Sequence, residues 1–347
     1  MYRVVTRIGS RVICIRTLCS TRVIYQGSNV LSRASAIDKS IEHNIKSETN
    51  RLAKTGKRFW DKCGIHFNRE TGKYEIQLDG KTLRTPLGFP LALPETKKQL
   101  AYLIVHEWTN IPNISVKSST LPLTSLAARS IDLQNKHDVN EEAKEKAKGV
   151  IAIEDLKVSL LRYLDTDTCL LFSSKKDCDG KLRQKQNELY LPLIEEYNDF
   201  FTTFAHKRKL MKSDEKLELK TLDCEKDGLR GNKQSQLTQT VALNWMHELD
   251  IFELIALEKA ILTTKSFLCG VSILRSNVSD LERMQQVFQI NKETQEKYWY
   301  KSVEEIIELG DLETILQTGE WGEVEDTHDV DKRDWMRSLA CAALVSH

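Results

Sequence analysis

A change of hydrophobic period near residue 95 constrains this chain more than any other feature. From Arg58 to Pro94 apolar residues alternate with polar ones, the period of a half-buried strand. Cys63 to Asn68 predicts one strand, and Tyr74, Ile76 and Leu78, alternating with Glu75 and Gln77, predict a second. Asp79-Gly80 follows directly and signals a two-residue hairpin, since a type I′ turn needs positive φ at both central residues. Lys81 to Thr85 returns as the partner strand. Pro86-Leu87-Gly88 turns again before a short strand over Phe89 to Leu93.

Beyond that point the spacing is helical. Thr96 to Asn110 carries Leu100, Leu103, Ile104 and Trp108 on one face. After an irregular stretch containing Pro112 and Pro122, Thr124 or Ser125 can cap a helix through Ile131. Further helices are expected over Glu141–Leu164 and over Leu182–Phe204, the latter with a kink or break at Pro192. Helical periodicity continues without pause over Leu237–Thr264, and Ser266–Leu274 is apolar enough to be buried. Ser279–Ile290 and Thr294–Leu309 begin at candidate caps Ser279 and Thr294, and Asp334–Val345 closes the chain. The charged stretch 206–232, with Gly228 and Gly231, reads as a surface loop or insertion. The expected fold is α+β: a small N-terminal antiparallel β domain over 58–125, followed by a larger all-α domain over 126–347.

Residues 1–37 differ from everything after them. They hold six arginines, frequent Ser and Thr, interleaved apolar residues and no acid before Asp38. This is presequence composition and predicts delivery to the mitochondrial matrix, with 38–57 as a linker; the alternative is a disordered basic tail or an RNA-binding arm. A secretory core is excluded, because Arg7, Arg11 and Arg16 interrupt every apolar run. The 347-residue chain has 51 basic and 50 acidic residues; without the six arginines it has 45 against 50, about −5. That balance argues against a nucleic-acid binder and suits a neutral or basic protein partner. No apolar run approaches the ~20 residues of a membrane span. The eight cysteines contain no C-x-x-C pair, so free thiols are expected.

No phosphate-cradling glycine loop and no G-x-S-x-G elbow occurs. His106-Glu107 and His247-Glu248 start like a zinc-protease motif, but Asn110 and Ile251 stand where the second histidine is needed. The best enzymatic candidate is Asp165-Thr166-Asp167-Thr168, the D-x-D-x-T of a magnesium-dependent haloacid-dehalogenase-type phosphatase, if Val158–Leu164 were its strand. Helices on both sides speak against it; the alternative is that Asp165 or Thr166 ends one helix and Asp167 caps the next segment. Trp321-Gly322-Glu323 opens an acidic stretch that includes Glu325, Asp326, Asp329 and Asp331, either a solvated loop or a docking patch for a basic surface.

An ordered series of segments adds a resemblance. Arg58-Phe59-Trp60, Leu78 to Pro86, Glu107-Trp108, Leu121 to Leu126, Tyr163 to Asp167, Ser266-Phe267-Leu268 and Trp321-Gly322-Glu323 together resemble the mitochondrial ATP synthase assembly factor 2 family. The resemblance covers residues 57–347. It implies a β-rich and then helical matrix protein, without enzymatic activity, cofactor, metal or membrane insertion and monomeric when free. Such a chaperone holds the unassembled ATP synthase alpha subunit until the beta subunit displaces it. It also implies partner contacts at Trp321 and Glu323, with Glu107 and Trp108 behind them, although the helical spacing of Trp108 equally suits packing in the core.

Overall fold

Strands β1 (Cys63–Asn68) and β2 (Lys73–Leu78) pair antiparallel, Ile65 against Ile76. Asp79 and Gly80 then have φ of +48° and +78°, the backbone that a type I′ turn demands. The Asp79 carboxylate accepts the backbone N–H groups of Asp61 and Lys62 and so fixes the entry of the chain into the sheet. The return strand β3 is regular only over Lys81–Thr82. Strand β4 (Ala92–Pro94) starts later than the expected Phe89 and pairs with β2, Leu93 opposite Tyr74. Pro90 cannot donate to a ladder, which delays regular pairing. The structure is a computed structural model that describes residue 58 and residues 60–111, 120–138, 147–228, 231–290, 300–324 and 327–347. The expected presequence 1–37 and linker 38–57 lie outside the described residues.

Helix α1 (Lys98–Thr109) lays Leu100, Ala101, Ile104 and Trp108 into the core beneath this sheet. Helix α2 (Pro122–Gln134) starts before the expected cap at Thr124, because a proline at the first helical position forfeits no bond and its fixed φ suits the turn. Helix α3 (Ile153–Asp165) is the second half of the expected Glu141–Leu164; residues 139–146 are not described. Helix α4 (Lys181–Lys207) runs through Pro192 unbroken. Its buried face of Tyr190, Leu193, Tyr197, Phe200, Phe201 and Phe204 outweighs the missing N–H.

The period over Leu237–Thr264 belongs to two helices, α5 (Gln236–His247) and α6 (Ile251–Thr264). Asp250 accepts the N–H of Glu253 at 2.8 Å, and Glu253 accepts that of Asp250 at 2.9 Å. This capping box starts a new helix where periodicity alone predicts continuation. Helix α7 (Phe267–Asn277) follows, then α8 (Leu281–Gln286), capped by Asp280 where Ser279 was expected. Helix α9 (Val303–Gly310) takes its cap from Ser302, again with a box to Glu305; the expected cap Thr294 is not among the described residues. Helices α10 (Leu312–Trp321) and α11 (His328–Ser346) complete the chain, α11 beginning well before the expected Asp334.

The expected loop 206–232 is more ordered than its charge suggests. Leu217, Leu219 and Leu222 are buried while Lys216, Glu218 and Lys220 face outward, and Leu222–Asp223 forms β6, parallel to β5 (Leu171–Phe172). From Lys216 to Lys220 that is a period of two inside a charged run, and Leu222 falls outside it. Helix α6 sits at the centre, with Phe252, Leu254, Ile255, Ala256, Leu257, Ala260 and Ile261 covering its whole circumference, as a fully enclosed helix requires. The small β sheet followed by helices is the expected α+β class. One apolar core extends from Trp60 to Val345. No described helix is long and apolar enough to cross a membrane.

Candidate functional site

Glu107 and Trp108 form a corner between α1 and α2. The Glu107 carboxylate accepts the N–H groups of Leu123 at 2.8 Å and Thr124 at 2.9 Å, and the Thr124 hydroxyl at 2.8 Å. It thus caps α2 from another helix, satisfying donors that a helix start leaves open. Burial raises its carboxyl above the ordinary range, against the pull of those three bonds. Trp108 is 4% exposed; its ring meets Trp60 edge-on at 5.2 Å and its Nε1 donates to Thr124 Oγ1 at 3.1 Å. Both side chains face inward and fix this corner.

Trp321 and Glu323 lie elsewhere. Helix α10 ends at Trp321, and Gly322 leaves it at φ +86°, with its N–H donated to Thr318 O at 2.9 Å. A glycine tolerates that positive φ without strain. The tip beyond is exposed: Trp321 is 59% and Val324 60% accessible, with Glu323 between them in solvent. Its base is anchored. Leu312 is buried, Leu316 packs on the core, and Glu320 Oε1 accepts from Lys181 Nζ at 2.8 Å. On the other side Val324 N–H donates to His328 Nδ1 at 2.9 Å, tying the tip to the first turn of α11. Asp311, at the base, is raised mainly by burial, with Asp331 adding and His328 opposing.

The structure does not bring the four expected contact residues together. Glu107 lies near Cys341 in the C-terminal half of α11, whereas the Trp321–Val324 tip meets its first turn, roughly 20 Å away at 1.5 Å per residue. Val324, Val330 and Ile315 are further exposed apolar residues of this region that the sequence reading did not single out. For Val324 and Val330 the signal was an apolar side chain inside an acidic run. Glu325 and Asp326 lie outside the described residues. What the tip offers chemically is an apolar knob edged by carboxylates.

The D-x-D-x-T segment has another occupation. Val158–Leu164 is helix rather than strand. Asp165 accepts the backbone N–H of Gln234 at 2.8 Å. Asp167 is fully buried and caps the 168–170 turn: Oδ1 accepts from Cys169 N at 2.8 Å and Ser266 Oγ at 2.7 Å, and Oδ2 accepts from Leu268 N at 2.9 Å. Its oxygens hold two segments of the fold together, and a solvent-borne phosphate ester has no approach to them. Burial pushes its carboxyl up to about 6 despite those donors. No group of three or more His, Cys, Asp or Glu side chains among the described residues is placed to hold a metal ion.

The sequence profile of a family described as ATP12 chaperone protein matches residues 57–198. A protein of Saccharomyces cerevisiae, "Protein ATP12, mitochondrial", is 41% identical over 309 residues, 89% of this chain and 89% of its own. Its Schizosaccharomyces pombe namesake is 31% identical over 290 residues, 84% of this chain and 82% of its own. The crystal structure of Atp12 from Paracoccus denitrificans covers 85% of this chain and 98% of its own, with a TM-score of 0.57 and 20% identity. At that identity the likeness is one of fold.

Proposed function

The chain belongs to the ATP12 chaperone family, and from that premise we propose that it serves assembly of the mitochondrial ATP synthase. Its relatives are mitochondrial by name. In this reading it works in the matrix after losing residues 1–37. It binds the unassembled alpha subunit of the F(1) head, keeps it from aggregating and yields it to the beta subunit. It does so without catalysis, cofactor or nucleic acid.

One observation carries the reading to a place on the molecule. Trp60, Trp108 and Trp245 are buried, yet Trp321 stands 59% exposed beside Val324, with Glu320 and Glu323 at its edge. A soluble chain keeps an exposed indole at such a tip for contact, because large aromatics dominate binding energy and exposed apolar patches mark interaction sites. An unpaired subunit exposes the apolar surface its neighbour would cover, and such surfaces aggregate. A contact that is part apolar and part charged covers that surface and still releases it to a tighter partner. Glu107 and Trp108 contribute by holding the α1–α2 corner rather than by touching the partner.

The test is co-expression of the chain with ATP synthase alpha subunit. Soluble alpha recovered with the chain, and lost when beta subunit is added, is the expected result. Glu323→Lys and Trp321→Ala are each expected to weaken alpha recovery about tenfold, roughly 1.4 kcal/mol, with an unchanged melting temperature. Aggregation of alpha regardless of the chain overturns the reading, and full recovery by both variants removes the tip from it.

A further inference from the structure

Cys169 and Cys269 are separated by 100 residues in sequence, and their sulfurs lie 3.7 Å apart in the core. Cys169 sits in the turn capped by Asp167, and Cys269 in the first turn of α7. Both are fully buried. The two thiols face the same helix: Cys169 Sγ lies 3.9 Å from the Leu309 carbonyl, and Cys269 Sγ 4.0 Å from that of Ile306. These contacts, with the Tyr190 hydroxyl donating to Leu309 O at 2.9 Å, seat α9, and α9 leads directly into α10 and its exposed tip. Ser266 Oγ, 3.6 Å from Cys169 Sγ, gives its shorter bond to Asp167.

We propose that Cys169 and Cys269 are an oxidation site, a dithiol that peroxide converts to an intramolecular disulfide, with loss of both thiol contacts to α9. A disulfide needs its sulfurs about 2.0 Å apart, so the 3.7 Å separation has to close for the bond to form. Hydrogen peroxide, being little larger than water, needs only a small local opening to reach the pair. One thiol is oxidised to a sulfenic acid with release of one water. The other thiol then displaces its oxygen as a second water, so two thiols and one peroxide give one disulfide and two waters. The hydrogen bond with Cys269, and then burial, hold the Cys169 thiol well above its ordinary range, so the first step waits for local opening and is slow. This assignment does not depend on the identity of the client.

The experiment treats the folded full-length chain with hydrogen peroxide, quenches with catalase, and blocks remaining thiols with iodoacetamide in denaturant. Peptide mapping then reads the linkages. A dithiothreitol-reversible 169–269 linkage is expected, together with about tenfold faster hydrogen exchange at the amides of α9. The proposal is overturned if both cysteines are recovered as alkylated thiols while Cys178 and Cys224 are oxidised. Sulfinic acids without a linkage overturn it as well, and so does a linkage that leaves α9 exchange unchanged.

Discussion

At the scale of single residues, Asp167 shows how a motif and its use can part. Its sequence context resembles the second aspartate of a D-x-D-x-T phosphatase, which protonates the leaving group, but its three acceptor bonds join the 168–170 turn to the start of α7. Burial raises its carboxyl from the ordinary 3.8 to about 6. The folded state therefore binds the proton more tightly than the unfolded chain. The stability this confers is complete below about pH 4 and is lost as pH rises through 6. Asp167→Asn lacks that titration. The stability difference, wild type minus variant, is expected to fall by about 2–3 kcal/mol between pH 4 and pH 7, measured by urea unfolding at each pH. A difference flat with pH would contradict the raised value. The four residues expected to touch a partner divide by the same logic. Glu107 and Trp108 find partners inside, whereas Trp321 and Glu323 find none of comparable burial and stay in solvent.

At the scale of elements, α6 and α7 approach closely because Gly270 has no side chain. A Cβ there would stand 2.7 Å from Ile261 Cγ1 and 3.0 Å from Leu257 Cδ1. Both neighbours belong to the helix on which α2, α7 and α11 pack, and neither can move without disturbing the others. Gly270→Ala is thus expected to destabilise by roughly 1–3 kcal/mol through overpacking, despite the better helix propensity of alanine. Thermal denaturation reads it, and an unchanged or raised midpoint would mean that the helices separate easily. The same element exposes a limit of periodicity. Apolar spacing passes smoothly from α5 into α6, and only the pair Asp250 and Glu253 records the break. The charged run containing β6 shows the opposite limit, since Leu217 and Leu219 at alternate positions, and Leu222 paired with β5, are buried amid the charges around them.

At the scale of the whole molecule, a lysine beside the sheet clasps the last turn of the C-terminal helix. Lys97, between β4 and α1, is buried and its Nζ donates to the carbonyls of Val345, Ser346 and His347 at 3.0, 2.9 and 3.2 Å. Those are the acceptors a helix C-terminus leaves open, and a cation there also meets the favourable end of the helix dipole. Desolvation lowers the ammonium's affinity for its proton, with Asp250 and Glu253 opposing. Lys97→Met keeps the length and removes the donors, so it is expected to cost about 2–4 kcal/mol and to speed proteolysis of the last turn of α11. Equal digestion rates for variant and wild type would show that the clasp is dispensable. The sheet, α1 and the helical region share one core. Calorimetry is accordingly expected to show a single transition for 58–125 and 126–347 together, and two resolved transitions would establish separate domains.

The sequence by itself determined the α+β class and the place of the sheet before the helices, because hydrophobic period and turn chemistry are local. Asp79-Gly80 forms the turn its residues demand, and α1 buries the face its spacing names. Trp321 and Glu323 are singled out by the family resemblance of their segment, while the residues alone leave the acidic run as a solvated loop or a docking patch. Only the tertiary structure decided which apolar and charged residues are spent inside. Glu107 became a cap for a helix sixteen residues on, Asp167 a clasp on a segment a hundred residues away, and Lys97 a seat for the far end of the chain. Each of these bonds joins groups distant in sequence. Desolvation and hydrogen-bond geometry, which set their value, exist only once the chain has folded.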